Sequence, residues 1–239
     1  MNKGIVRKGG CSVQLHQPIG DNPMGKLFSL DSPFFRAMER VADFFILNIL
    51  TILCSLPFFT AGAALTAHHK VMQNLVMDEE QPICKTYFRA FAGNFKQATA
   101  LWLMTAVWIA FVVVDVILIY LYLDGLQLLL YALLAVIGVV VFGTACYAFA
   151  LIARYENPLK THLRNSLILA VGNLPKTVLM LLVYGIPLIL AVFSLPLFLN
   201  TLIIWATFGF SIIIFLQARI IKSVFMMLEH TDTDDGESL

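Results

Sequence analysis

Long apolar runs separated by short polar segments set the pattern of this chain. Four of them, Thr99 to Leu123, Leu126 to Ile152, Thr177 to Leu199 and Thr201 to Ile221, reach the length a membrane-spanning helix needs. That length is about 20 residues, because the hydrocarbon core is about 30 Å thick and a helix rises about 1.5 Å per residue. A fifth run, Val41 to Phe59, is slightly shorter and carries one charge, Asp43, near its start. The stretch Ala61 to Met77 is ambiguous. It opens on small residues, Ala61-Gly62-Ala63-Ala64, then reaches His68-His69-Lys70, and hydropathy alone does not make it a span.

Charge placement bears on that stretch. If it returns through the membrane after a turn at Pro57-Phe58-Phe59-Thr60, the chain has six membrane segments with both termini on one side. The basic residues then fall into four groups on that side. The N-terminal arm holds Lys3, Arg7, Lys8, Lys26, Arg36 and Arg40. Lys70, Lys85, Arg89 and Lys96 follow, then Arg154, Lys160, Arg164 and Lys176, then Arg219 and Lys222. These are all 16 Lys and Arg of the chain, and the opposite turns near Pro57, Asp124 and Asn200 hold none. Cytoplasmic loops of membrane proteins are enriched in Lys and Arg. The five-segment alternative puts the N-terminal cations outside, against that bias. A re-entrant first segment leaves the grouping unchanged. The fold predicted is all-α: a polytopic transmembrane helical bundle of six segments with both termini cytoplasmic.

Two polar-side segments read as interfacial helices. In Tyr87 to Lys96 the aromatics Phe88, Phe91 and Phe95 recur at three and four residues, flanked by Lys85, Arg89 and Lys96. A helix lying in the headgroup plane has such a stripe. Lys160 to Leu174 repeats the pattern more weakly, with Leu163, Leu167 and Ala170 opposite Arg164. Residues 1–24 read as a mobile arm, 25–228 as the membrane domain, and 229–239 as a short acidic, solvated tail.

Composition agrees with this reading. Of 239 residues, 59% are apolar and 13% charged, against about 25% charged in soluble domains. The net charge of +1 is spread along the chain and gives no basis for a nucleic-acid partner. Cys11, Cys54, Cys84 and Cys146 form no CxxC pair and no disulfide framework. No HExxH, P-loop, GxSxG or dinucleotide motif occurs, so the expectation is a protein without catalytic residues, metal or cofactor.

The candidate positions are polar or conformationally special residues inside apolar segments. Asp115 lies within Phe111 to Tyr122, where an ionisable group is costly and suggests a function or a path to water. Its basic partners are all assigned to the far side, so a hydroxyl, amide or water contact is expected rather than an ion pair. His68 and His69 are adjacent and point about 100° apart on a helix, unlike metal-binding pairs at i, i+4; they are expected to face neighbouring helices. Pro187 follows Gly185 in mid-span and predicts a kink. Gly62 with Thr66, and Ala63 with Ala67, form small-xxx-small pairs that let helices approach closely, within the chain or between copies in a homo-oligomer.

At Leu56-Pro57-Phe58-Phe59-Thr60-Ala61-Gly62-Ala63-Ala64 the chain resembles the YesL-like family of bacterial membrane proteins, which is defined by a domain of unknown function. The acidic turn Met77-Asp78-Glu79-Glu80 and the block Asn94-Phe95-Lys96-Gln97 extend the resemblance. Weaker matches at Leu163-Arg164-Asn165-Ser166 and Leu174-Pro175-Lys176 carry it from about Gly25 to Leu228. Ala67-His68-His69-Lys70 departs from it, since similar proteins are more apolar and aromatic there. The family has no established catalytic residues to carry over; Pro57, Thr60, Gly62, Asn94 and Lys96, which stand in these blocks, are candidate functional or packing positions. The resemblance implies association with carbohydrate-uptake ABC transporters, whose genes often neighbour those of the family in Gram-positive bacteria. The partners expected are therefore the lipid bilayer and an ABC permease, and the function that of an accessory to uptake. A small solute transporter is the alternative.

Overall fold

The computed structural model describes residues 33–79, 81–122 and 125–236. The mobile arm expected at 1–24 lies outside them. Contacts divide the chain into two units, Met1–Arg40 and Val41–Leu239. Of the first, only the opening turns of α1 are described.

All regular structure among the described residues is helical. Helix α1 spans Pro33–Cys54, a short 3-10 turn Phe58–Thr60, and α2 Ala61–Val76. Then come α3 (Ile83–Tyr122), α4 (Gln127–Arg154), α5 (Leu159–Gly172), α6 (Leu174–Phe193) and α7 (Leu195–Ile204). A π-helical turn at Trp205–Gly209 joins α7 to α8 (Phe210–Gly236). Helices satisfy every backbone group within the segment, which is what hydrocarbon demands. Three stretches are long and apolar enough to cross a membrane: α3, α4 and Leu195–Val224. The pair α5 and α6 would make a fourth, but it bends by 103°.

Local chemistry sets the breaks. Asp78 ends α2 with φ of 59°, a left-handed conformation that Asp tolerates better than most residues. The Glu79 amide then donates to Asn74 O at 2.9 Å, the closing bond of a Schellman cap. Gly125 takes φ of +89° between α3 and α4, where a side chain would be strained. Ser194 interrupts α6 and α7, and Pro196 stands in the first turn of α7, where its missing N–H costs nothing.

Three expectations change. The segment Tyr87 to Lys96 is not a separate interfacial helix. It is the first half of α3, a single helix of 40 residues: no Pro interrupts Ile83 to Tyr122, and Gly93-Asn94 is carried within the helix rather than breaking it. Tyr87 faces inward with Leu47, Ala67, Val71 and Met72, while Phe88 points outward. The turn expected near Asn200 falls at Ser194, since Pro196 starts a helix that includes Asn200. Finally, α8 carries the acidic tail on to Gly236. No Pro or Gly precedes Gly236 in α8 to stop its hydrogen-bond ladder.

The two halves of α3 have different surroundings. Ile83 to Trp102 pairs antiparallel with α2. Ile83 packs at the end of the cluster that holds Val76, and Trp102 Nε1 donates to Phe58 O at 2.8 Å. The remaining half of the 40 residues runs about 30 Å beyond that turn. There Thr105, Trp108, Val112, Asp115 and Ile119, with Ala106 beside the first of them, are the less exposed residues. Their spacing of three and four is a narrow seam of the kind that pairs two helices. The partner is the first half of α4, so the two form an arm ending at Gly125.

Candidate functional site

Polar side chains concentrate where α1, α2 and α8 meet. His68 is fully buried. Its Nδ1 lies 2.8 Å from Thr51 Oγ1, and its Nε2 lies 3.3 Å from Ser211 Oγ. Thr51 Oγ1 also reaches Leu47 O at 2.8 Å, and Ser211 Oγ reaches Phe44 O at 2.7 Å. Each hydroxyl has one proton and the neutral imidazole has one N–H. Three protons serve four contacts, so a neutral ring leaves one of them unmade. The imidazolium would complete all four, at the cost of an unpaired buried charge.

Asn48 works beside it on a backbone defect. A π-turn shifts the helical ladder and frees groups that an α-helix would pair. Asn48 Nδ2 donates to Ala206 O at 2.6 Å, and Ser211 N–H donates to Asn48 Oδ1 at 3.2 Å. One amide of α1 thus closes the Trp205–Gly209 break from both sides. Phe45 and Phe208, with centroids 6.0 Å apart, pack next to this junction.

His69 points toward α6, where its Nε2 is 3.2 Å from Tyr184 Oη. One turn on, Gln73 Nε2 donates to Ala150 O of α4 at 3.0 Å. Gln217 of α8 donates in the same way to Met180 O of α6 at 3.0 Å. Side-chain amides on two helices therefore tie α2 to α4 and α8 to α6. Lys222 Nζ donates to Val76 O at 2.9 Å, and Lys176 Nζ to Ser223 Oγ at 2.9 Å.

The expected positions distribute as follows. Pro57 begins the 3-10 turn, and Thr60 Oγ1 lies 2.6 Å from Cys54 O and 2.7 Å from Pro57 O. Gly62 touches α3: a Cβ there would overlap Ala98 O and stand 2.5 Å from Trp102 Cβ. Asn94 is half-buried and Lys96 exposed on α3. Pro187 lies inside α6 and is half-buried. Asp115 is on the arm, away from the histidines, and no Lys or Arg among the described residues is within ion-pair distance of it. Asn48, Thr51, Gln73, Tyr184, Ser211 and Gln217 were not singled out. Lone amides inside apolar runs, Asn48 and Gln217 above all, were the available signal. No group of three or more His, Cys, Asp or Glu that could hold a metal occurs among the described residues.

Residues 44–116 match the family described as "Protein of unknown function, DUF624". The match takes in the second half of α1, the Pro57 turn, α2, and α3 as far as Asp115 and its neighbour Val116. It therefore includes Asn48, Thr51, His68 and Gly62, but not Ser211 or Gln217. No curated protein and no solved structure matches the chain.

Proposed function

We propose that the chain is a non-enzymatic, YesL-like membrane protein that assists a carbohydrate ABC uptake system through helix contacts with its permease. The observation that carries this reading is the arm. Its helices are long enough to cross a bilayer, yet beyond their mutual seam they leave apolar side chains such as Val107, Leu128 and Val136 exposed. In a membrane such faces meet lipid or another helix, and association there rests on packing and a few polar contacts. The carbohydrate link comes from the resemblance at Pro57 to Ala64 and Asn94 to Gln97. The family match over 44–116 is consistent with a domain of this kind and assigns no activity.

The topology that goes with this reading has six membrane segments in the plasma membrane and both termini in the cytoplasm. Helices α1 and α2 turn at Pro57 about 30 Å short of the arm's tip, so in this topology they enter as a re-entrant hairpin rather than as two full crossings, which leaves the side of both termini unchanged. Reporter fusions before Met1 and after Leu239 should both report cytoplasm; an external N-terminus overturns this arrangement. The accessory role is tested by purifying the chain from its host and looking for a carbohydrate ABC permease in stoichiometric amount. Its absence under conditions that keep other membrane complexes intact would overturn the role.

A second reading, a small transporter, draws on the buried polar network around His68 and His69 and on Pro187 within α6. Polar groups and broken helices at membrane depth mark solute paths in transporters. Saturable solute uptake by proteoliposomes containing only this protein would favour it.

A further inference from the structure

We propose that Asp115 and the groove beside it form the docking face for a transmembrane helix of another protein, one that carries an Arg or Lys at the same depth. The inference rests on the reading that this chain acts through helix contacts with a membrane partner, and it supplies the chemistry of the contact.

Three observations support it. First, Asp115 belongs to the seam of the arm rather than to its exterior. It is half-buried between Val112 and Ile119, on the face of α3 turned to α4, and it is the sole Asp, Glu, Lys, Arg or His in the helical parts of Leu103–Phe142. A carboxylate in that setting calls for a partner. Second, an apolar groove of about 420 Å³ opens on the same flank, lined by Val112, Val116, Tyr131, Leu134, Gly138 and Phe142 among others. Gly138 leaves room there: a Cβ added to it meets nothing nearer than Phe142 Cδ2 at 4.0 Å. A long basic side chain could lay its apolar stem along Val112 and Val116 and bring its charged head to the carboxylate. Third, Trp108 Nε1, two turns away on the same seam, is buried without a hydrogen-bond acceptor. It is a second polar group of the seam that the arm's own helices leave without a partner.

The partner cannot be a second copy in the same orientation. No Lys or Arg occurs at 97–153 or 177–218. Along α3 the nearest cation is Lys96, nearly 30 Å from Asp115 at about 1.5 Å per residue. Two copies meeting at this face would bring two carboxylates together, which repel. Charge complementarity therefore selects a different protein with a basic residue inside its span.

The full-length protein, donor-labelled in phosphatidylcholine vesicles, can be titrated with acceptor-labelled single-span Leu/Ala helices. The helices carry Arg, Lys, Gln or Leu at the depth of Asp115. The Arg and Lys helices should associate about tenfold more tightly than the Leu helix, a difference of about 1.4 kcal/mol. Asp115→Asn should abolish the preference and Asp115→Glu should keep it. Gly138→Leu, which fills the groove but spares the carboxylate, should weaken every helix. Equal association of the Arg and Leu helices with the wild type, or a preference that survives Asp115→Asn, overturns the proposal and leaves Asp115 as a hydrated group near the outer surface. The melting temperature of each variant separates lost docking from lost folding. Permease that co-purifies equally with wild type and Asp115→Asn sinks this inference alone. An Asp115-dependent preference for the Arg helix without any carbohydrate permease in the purified complex sinks the carbohydrate role alone.

Discussion

The half of the molecule built around α2 and the arm formed by α3 and α4 use different means of holding helices together. Around α2, the backbones come close enough that Gly62 has no room for a methyl group. Side chains there also bond carbonyls on neighbouring helices, as Asn48, Gln73 and Gln217 do. In the arm the two helices meet along one seam, the residues are nearly all apolar, and most of them are exposed. Hydrocarbon solvates apolar side chains as well as a protein core does, so apolarity cannot specify which helices meet. Specificity in the first region comes from shape and hydrogen bonds. The arm has one feature that could specify a partner, the carboxylate of Asp115.

The largest effect that would test this comparison is at glycine. Gly62→Leu should cost about 3 kcal/mol, at the upper end of overpacking penalties, because the side chain would collide with the backbone of Ala98 and with Trp102. Gly138→Ala, in the arm, should change stability by no more than about 0.5 kcal/mol, since its surroundings are open. Thermal unfolding of fluorescent-protein fusions, followed by size-exclusion chromatography in detergent, reads both. Equal effects would erase the distinction between the two regions.

Next comes Asn48. Replacing it with Leu removes the acceptor of the Ser211 N–H and the donor to Ala206 O. Two buried backbone groups would then lack partners, at about 1–3 kcal/mol each before relaxation. A loss near 2 kcal/mol is expected in the same melting assay. A silent substitution would show that the π-turn repairs its own ladder.

His68→Leu should cost less, about 1 kcal/mol, in keeping with the modest worth of polar contacts between membrane helices. The reason is that neither hydroxyl is stranded. Thr51 and Ser211 still donate to Leu47 O and Phe44 O when the ring is gone. A double-mutant cycle of His68→Leu with Ser211→Ala isolates the pair, and a coupling above about 2 kcal/mol would show that the fourth contact matters more than the proton count implies.

These comparisons also show what was legible in the residues. Apolar runs announced α3 and α4, because helix length and hydropathy are local properties. His68 and His69 were placed against neighbouring helices for the same reason: lipid penalises them. The pairing of His68 with Ser211, 143 positions away, was not legible, since it depends on which helices the fold brings together. The length of α3 was misjudged because a polar, aromatic half fused to an apolar half looks like two elements. Only packing of Tyr87 against α2 shows that the first half is buried on one side. The π-turn at Trp205–Gly209 has no compositional mark, and Asn48 makes sense only once that turn is known.

The smallest effect expected lies at the surface, where α2 gives way to α3. Arg154 Nη1 stands 3.0 Å from Glu79 Oε1, linking that turn to the end of α4. The Glu79 side chain is 40% exposed, so water and salt screen the pair and side-chain entropy offsets much of the attraction. Glu79→Gln should therefore lower stability by about 0.5 kcal/mol or less, and the difference should shrink as ionic strength rises. The backbone limits the loss further, because the Schellman bond from Glu79 N–H to Asn74 O does not involve the carboxylate. A loss of several kcal/mol, or one that persists in high salt, would mean that charge as well as shape holds the α2 region together.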